Sequence, residues 1–379
     1  MIQDPLAMRR AAEDFSGRLC TFGTSLSQFE RPNAQRLLSL YVQLLLDDLG
    51  WREPCAVRFA LLDLPRFHTF PLRRHQHTCQ LQRCGRNIIL YLNESALDIP
   101  NYLELISRLP LVLWTFGRVT ATNPDLEGSY MIVVGDGSVW DTIAFSSSNP
   151  SACLLPDPTY FLALGFTDFD TAVSAQAPAW RDRTAKVFWR GSTTGIKRYW
   201  PPKDGRDFGW LPRLELCYRA KNSPLHNHLD IALSNLVQID DEELGVKTSI
   251  VDANMVSPRV PRLRFADFKA VIDIDGNSDS WARGLYCSLL TRSCVLKVAS
   301  EHHFRSWYYH QLKPWQHYVP ISADLSDFED AVRWMLNNDD RAQEIGRAGS
   351  RLARSLNFTS EMEASVGRLE KWMLARTKS

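Results

Sequence analysis

Three short stretches of the sequence carry side chains whose types and spacing could do chemistry. In FWRGSTTGIKR, residues 188–198, an apolar run ends in Arg190, Gly191 and Ser192, and Lys197 and Arg198 follow one turn further on. Small hydroxyl residues and free amides in a turn beside basic side chains suit a phosphate. In VIDIDGNSDSWARGLYCSLL, residues 271–290, the residues Gly276, Asn277, Ser278, Asp279, Ser280 and Trp281 link a strand-like run to a helix-like run, and Arg283 adds a full positive charge. Amides and hydroxyls at the amino end of a helix favour an anion, although Asn, Ser and Asp there serve equally as plain caps. Third, MIVVGDG, residues 131–137, brings Asp136 to the carboxyl end of a short apolar run, with Asp141 close behind. Two phosphate-seeking turns on adjacent strands would converge on one diphosphate, whereas either alone reads as a solvated basic turn or a cap.

Other patterns point less far. Asp273 and Asp275 form a DxD pair on one side of a strand, which could hold a divalent metal against a diphosphate, but strand-end carboxylates more often cap the next turn. His75, His77, Cys79 and Cys84 offer four soft ligands within ten residues, at a spacing that matches no common zinc motif, so a polar surface loop is the plainer reading. The aromatic run FRSWYYHQLKPWQHYVP could stack on a sugar or base and as readily fill a core. GxSxG, HExxH and P-loop signatures are absent.

These residues need elements to hold them. The run AQRLLSLYVQLLLDDL, 34–49, has helical spacing, and NIILYLN, 87–93, reads as a strand. A composition shift between 149 and 183 places a domain junction near 180. Beyond it, KVFWRGS, FKAVIDIDG, CVLKV and HYVPI read as strands that alternate with helices, which implies a parallel sheet covered on both faces. Ser326 with Glu329 forms a capping box ahead of DFEDAVRWML; RAQEIGRAGSRLARSL and EMEASVGRLEKWMLAR read as helices, the last able to pack back across the junction.

Composition bounds the class. The chain has 379 residues, 45% apolar and 23% charged, with 44 Lys and Arg against 43 Asp and Glu for a net charge of +1. This is the usage of a globular protein of two or three domains, with no overall field to draw in nucleic acid or an anionic membrane. No apolar run reaches the ~20 residues that span a bilayer, so membrane association is peripheral at most. The amino terminus carries Asp4, Glu13 and Asp14 and lacks the apolar centre of a signal peptide, and eight scattered cysteines form no CxxC pair. A cytoplasmic protein with reduced thiols is expected, free or at the cytoplasmic face of the membrane.

The blocks KVFWRGSTTG with Arg198, IDIDGNSDSWARG, LKPWQHYVPISADLSDFEDAVRW and NDDRAQEIGRAG, in this order between about 130 and 355, resemble glycosyltransferase family 90. That family includes protein O-glucosyltransferases and O-xylosyltransferases, capsule-associated xylosyltransferases and lipopolysaccharide-modifying enzymes. The resemblance implies an α/β protein of GT-B type. Its parts would be an acceptor-side Rossmann-like domain (1–180), a nucleotide-sugar-binding one facing it across a cleft (181–355), and a C-terminal helix (356–379). It implies inverting, metal-independent transfer of glucose or xylose from a UDP-sugar, which is a co-substrate; no cofactor is expected. The general base is then Asp136, ahead of a Phe-Ser segment, with Asp141 as competitor. Donor contacts fall to Arg190, Gly191, Ser192 and Arg198, and to Gly276 through Trp281 with Arg283, a segment with one residue more than the animal enzymes. PDPTYF, 156–161, resembles the acceptor-side segment loosely and offers Thr159, Tyr160 and Phe161. With no leader or retention motif the expected acceptor is a bacterial surface glycan or lipopolysaccharide, lipid-linked or not. A protein hydroxyl, a non-catalytic nucleotide-sugar or glycan binder, and a metal-dependent transferase using Asp273 and Asp275 are the alternatives.

Overall fold

The computed structural model describes residues 57–62, 78–84, 87–93, 108–123, 125–198, 207–239 and 245–377. The helix expected over 34–49 and both His75 and His77 lie outside these residues. The chain divides into two units, one made of residues 1–165 and 357–379 and the other of residues 166–356.

The first unit contains β1 (Val57–Leu62), β2 (Thr78–Cys84), β3 (Asn87–Asn93), α1 (Pro110–Thr122), β4 (Gly128–Val133), three two-residue strands β5 (Ile143–Ala144), β6 (Ser146–Ser147) and β7 (Cys153–Leu154), and α2 (Pro158–Leu162). Its main sheet has the order β1-β3-β2-β4-β5-β7. The sheet is mixed, not the parallel sheet of a Rossmann-like domain, because β2 runs antiparallel to both β3 and β4. Only residues 85 and 86 separate β2 from β3, a link that permits a hairpin but no crossover. The alternation in TCQLQRC points Cys79, Leu81 and Arg83 into the core. Arg83 Nη1 donates to Thr120 O at 2.6 Å and Asn123 O at 2.9 Å, which satisfies carbonyls at the end of α1 that the helix cannot. Cys79 and Cys84 thus belong to a strand and not a loop. Burial pushes the Cys79 thiol up to about 12, so it offers no thiolate.

The final helix, Phe358–Thr377, belongs to this first unit and packs on α1. Trp372 Nε1 donates to Ser151 O at 2.9 Å and to Asp141 Oδ1 at 3.2 Å, Arg376 pairs with the same carboxylate, and Asn123 Nδ2 reaches Glu370 Oε1 at 2.7 Å.

The second unit contains α3 (Thr167–Gln176), β8 (Thr184–Ser192), α4 (Pro212–Asn222), β9 (Leu229–Asn235), α5 (Val246–Asp252), β10 (Phe268–Asp273), a π-helical turn (Ala282–Tyr286) running into α6 (Cys287–Leu290), β11 (Cys294–Val298), β12 (Arg305–Ser306), β13 (Val319–Ile321), α7 (Phe328–Asn337) and α8 (Asp339–Ser355). It begins ahead of the composition shift near 180. Arg354 holds Asp170 of α3 through its Nε and Nη2, at 2.8 Å for the shortest contact, and Arg292 Nη2 donates to Ser174 Oγ at 2.9 Å. Its sheet is wholly parallel, in the order β13-β11-β10-β8-β9. Numbered along the unit this is the doubly wound order 2-1-3-4-5, whose connections diverge between β8 and β10. A parallel sheet buried on both faces calls for continuous apolar runs, and β10 and β11 supply them. The aromatic run around β12 is core in its first half, where Phe304, Trp307 and Tyr308 are buried and Tyr308 meets Tyr286 edge to face, whereas Trp315 is exposed.

The expected capping box does not form. Asp327 is the N-cap of α7, but its carboxylate accepts from Ser322 N and Oγ at 2.8 and 2.9 Å and makes no capping bond to the helix. Ser326 Oγ turns to Asp324 Oδ1 at 2.8 Å, and Glu329 accepts from Ser223 Oγ at 2.8 Å and pairs with Arg333 at 3.0 Å. A distant hydroxyl and an i,i+4 cation win the carboxylate.

The glycines of NDDRAQEIGRAG have a packing role. A Cβ on Gly346 would lie 2.5 Å from Arg292 O, and one on Gly349 would lie 2.7 Å from His317 O. Both obstacles are backbone, so α8 lies flush on the β11 end of the sheet only without these side chains. Gly346→Ala gains helix propensity of ~1 kcal/mol but must push the backbone apart, at about 1–3 kcal/mol. The expected net result in urea unfolding is a lower midpoint; a midpoint equal to or above wild type would contradict the packing.

Candidate functional site

In a doubly wound sheet the ligand crevice opens at the carboxyl ends of the strands flanking the switch point. Here those are β8, which ends in Arg190-Gly191-Ser192, and β10, which runs on through Ile274 and Asp275 into Gly276–Trp281. The two phosphate-seeking turns of the sequence are therefore neighbours.

One residue that sequence patterns do not single out joins them. Arg213, in the first turn of α4, donates from Nη1 to Thr194 Oγ1 at 2.6 Å and Ser192 O at 3.3 Å, from Nε to Asp275 O at 2.8 Å, and from Nη2 to Ile274 O at 3.1 Å. Burial lowers its pKa to about 10, opposed by Asp273 and Asp275, so it stays charged at neutral pH. The sequence signal for it is a cation in the first turn of a helix, where the macrodipole disfavours one.

Around this latch the expected donor residues have distinct fates. Gly191 has to be glycine, since a Cβ would fall 2.3 Å from Trp189 Cζ2. Ser192 Oγ lies 3.3 Å from Thr194 Oγ1. Thr193 is buried, donating to Val237 O at 2.6 Å and accepting from Val237 N at 2.7 Å. Arg190 is held by Asp230, with Nη2 at 2.5 Å from Oδ1, while its buried Nε has no hydrogen-bond partner. Arg198 departs most from its expected role. Its guanidinium binds Glu215, Glu301 Oε2 at 2.8 Å, Gly209 O at 3.2 Å and Ala323 O at 3.3 Å, and so braces the turn instead of facing a ligand.

The second loop is preorganised. Ser278 and Asp279 are buried; Asp279 accepts from Trp281 N at 3.2 Å and from Ser306 Oγ. Trp281 has φ of 50°, a left-handed conformation that costs a bulky residue about 1–3 kcal/mol and persists where surrounding contacts enforce it. Ser280 caps the next turn, with Oγ accepting from Leu285 N at 3.0 Å. Gly276 lies against Arg213, Asn277 and Ser280 are half-buried, and Arg283 is exposed.

The DxD pair already has a cation. Lys297 Nζ donates to Asp273 Oδ2 at 3.0 Å in a buried pair; burial works against the ammonium, and the charges of Asp273 and Asp275 overcome it and raise its pKa. Lys297 is the one charge within an apolar strand, a legible signal. Asp275 has a buried Oδ1 without a partner, and burial raises its pKa to about 6. Among the described residues no group of three or more His, Cys, Asp or Glu could hold a metal ion.

In the first unit, Asp136 follows β4 with its side chain about a quarter exposed, and Arg108 Nη1 lies 3.7 Å from its Oδ1 while donating to Val134 O at 3.1 Å. Its competitor Asp141 is tied to Arg376 and Trp372. The acceptor-side expectation fails for the PDPTYF segment. Thr159 is committed to the N-cap carboxylate of Asp157, and Tyr160 and Phe161 are buried against Phe358, at ring separations of 6.3 and 6.0 Å.

Comparison with known proteins bears on this geometry. The model of the family "Glycosyl transferase family 90" matches residues 233–361, which begin within β9 and take in the Gly276–Trp281 loop and α8. Over these residues the chain is similar to glycosyl transferase family 90. Human protein O-glucosyltransferase 1 is 41% identical over 202 residues, covering 52% of this chain and 44% of that protein. Rat protein O-glucosyltransferase 3 is 30% identical over 182 residues, covering 47% of this chain and 30% of that protein. The chain thus spans less than half the length of these relatives. A solved structure titled "Crystal Structure of TarM" aligns with 49% of this chain and 35% of that one, at 14% identity and a TM-score of 0.35, a likeness too slight to argue from. The family 90 segment holds the second donor loop, Arg283 and Lys297; Asp136, the β8 turn and Arg213 precede it.

Arg213→Ala orphans carbonyls on two loops and should lower unfolding stability by about 2–4 kcal/mol in urea titration. An unchanged midpoint would mean the loops hold without the latch. Asp275 supplies a pH test. Its folded pKa lies above the unfolded value, so the folded state binds more protons and stability falls as pH rises through about 6. Asp275→Asn should therefore raise the melting temperature relative to wild type more at pH 7.5 than at pH 5. The reverse order would place Asp275 in a different environment.

Proposed function

We propose that the chain is a UDP-sugar-dependent glycosyltransferase of GT-B type, inverting and metal-independent. In this reading the second unit is the donor-binding half and the first unit supplies the general base. The observation that carries it is the meeting of the β8 turn and the Gly276–Trp281 loop at the switch point, clipped together by Arg213, with the second loop inside the family 90 segment. The hydroxyl and amide groups of these two loops, with Arg283, suit a departing nucleoside diphosphate, whose developing charge preorganised donors stabilise. Asp136 takes the proton of the acceptor hydroxyl as it attacks the anomeric carbon from the face opposite the leaving group. The contact with Arg108 orients its carboxylate, whereas Asp141 is committed to the final helix. Lys297 between the aspartates supports the metal-independent reading, since a second cation there would meet its charge.

Glucose or xylose is the proposed sugar, the first in keeping with the O-glucosyltransferases among the relatives. The acceptor is a hydroxyl of a glycan, free or lipid-linked. A protein hydroxyl is favoured as a second reading by the relatives' names alone.

A thermal-shift series with UDP, UDP-glucose, UDP-xylose and GDP- and CMP-sugars, each with EDTA or Mn²⁺, tests the donor. Binding to the native state raises stability by RT ln(1 + [L]/Kd). The expected result is a shift selective for uridine nucleotides and unaffected by EDTA; no shift with any nucleotide would overturn the reading, and one requiring Mn²⁺ would return the metal to Asp273 and Asp275. Asp136→Asn should keep UDP binding and lose transfer by about 10²–10⁴-fold. Retained turnover would move the base elsewhere.

A further inference from the structure

The amino end of the second unit's sheet, opposite the crevice, carries an exposed cluster that the transferase reading does not use. α8 lies across this end: Gly346 meets Arg292 O and Ser293 just before β11, and Gly349 meets His317 O just before β13. Residues 313–316, also just ahead of β13, are exposed. Trp315 is 46% exposed and has φ of 60°, a conformation that a bulky residue adopts only where its surroundings enforce it. Those surroundings are on hand. Trp315 N donates to Tyr318 O at 2.7 Å, Arg341 Nη2 donates to Trp315 O at 3.1 Å, and Trp334 meets the Trp315 ring edge to face at 5.0 Å. The loop thus holds a large aromatic ring in the solvent at a conformational cost that burial does not recover.

Cations gather beside that ring. Arg347 and Arg351 are i and i+4 on the exposed side of α8, and Lys313 is two residues ahead of Trp315. The side chains of all three make no hydrogen bond or ion pair with any described residue. Burial first, and then the charges of Lys313 and Arg351, lower the pKa of His317, so both cations act on the loop that carries Trp315. Of the nearby acids, Glu344 is paired with Arg341 at 2.5 Å, and Asp340 lies in the first turn of α8. The cluster lines neither cavity at the strand ends, so an extended surface fits it better than a small molecule. A protein interface calls for a packed apolar centre, whereas the exposed neighbours Lys313, Gln316, Arg341 and Glu344 are polar or charged. One amphipathic ring among uncommitted cations matches the headgroup layer of a bilayer, where tryptophan settles and anionic lipids attract Lys and Arg.

We propose that Trp315, Lys313, Arg347 and Arg351 form a docking surface for an anionic lipid bilayer, the ring entering the headgroup layer and the cations meeting the lipid phosphates. This goes beyond the transferase reading and does not depend on it. Docked by the amino end of its sheet, the second unit keeps the crevice at the carboxyl end clear of the headgroups.

The test is co-sedimentation of the intact chain with vesicles of phosphatidylcholine, alone or with about 30% phosphatidylglycerol, at about 0.1 M and about 0.5 M salt. The expected outcome is binding to the anionic vesicles only, weakened by salt. A cation at such a surface is worth about fivefold in affinity, so Arg347→Gln with Arg351→Gln should bind about 25-fold more weakly. Trp315→Gly, in which glycine takes φ of 60° without strain, should bind at least about fivefold more weakly. Lys221→Gln, which removes an exposed charge in the last turn of α4, should change binding less than about twofold. No sedimentation of wild type with anionic vesicles would overturn the proposal, as would equal binding to neutral ones. An equal loss in Lys221→Gln would make net charge, not this surface, the cause. Binding of polyglutamate without binding of vesicles would give the cluster to an acidic protein and overturn the lipid assignment. The unfolding midpoint of each variant separates loss of docking from loss of fold. Failed sedimentation leaves the donor reading standing, and a failed thermal shift with UDP leaves vesicle binding standing.

Discussion

The guanidinium of Arg213 is the interaction on which the crevice at the switch point depends. Backbone carbonyls at the ends of two parallel strands have no strand partner beyond the sheet, and a loop that leaves them unsatisfied under cover is destabilised by each one. Arg213 answers three such carbonyls and one hydroxyl from a single rigid, planar group. A lysine, with a point charge and no fork, could not hold the same spread of acceptors. The β8 turn and the β10 loop therefore behave as one piece, and whatever binds there meets a surface already formed.

Charge is partitioned around that piece. On the side of β10 and β11, Lys297 and Asp273 neutralise each other in the core. At the β8 turn, Arg198 is shared between Glu215 and Glu301 and stitches the turn to α4 and to the segment after β11. At the ends of β8 and β9, Arg259, Arg262 and Arg283 line a cavity whose wall holds no acidic residue. Arginine thus serves as a brace in two places, and what decides its role at each position is the set of carboxylates and carbonyls nearby, not the residue.

That distinction explains what the sequence could and could not disclose. β8, β10 and β11 are legible because a strand buried on both faces reads as a continuous apolar run, and the parallel sheet follows from its alternation with helices. Asp136 is legible as the residue where the β4 run stops. Arg198 misleads because its partners, Glu215 and Glu301, lie 17 and 103 positions away and no local pattern announces them. The capping box at Ser326 misleads for the same reason, with Ser223 as the unforeseen competitor. PDPTYF carries a surface-like proline and threonine yet folds its aromatics inward onto a helix nearly two hundred residues later. The mixed sheet of the first unit is concealed by a polar strand, TCQLQRC, whose inward Arg83 finds its acceptors only once α1 is in place.

The π-helical turn at Ala282–Tyr286 has a consequence for how this chain tolerates changes in length. A π turn bonds i to i+5 and so holds one residue more than an α turn over the same arc. Ser280 closes it through Leu285 N, and Gly284 is bare because a Cβ there would sit 2.4 Å from Ser280 Cβ. Removal of a single residue within this turn could relax it to an ordinary α turn without shifting β10 or α6, although Arg283 would rotate about the helix axis by roughly 100°. The turn is therefore a register buffer: an insertion or deletion is absorbed inside the helix, the loop ahead of it keeps its shape, and the direction of one charged side chain is what changes.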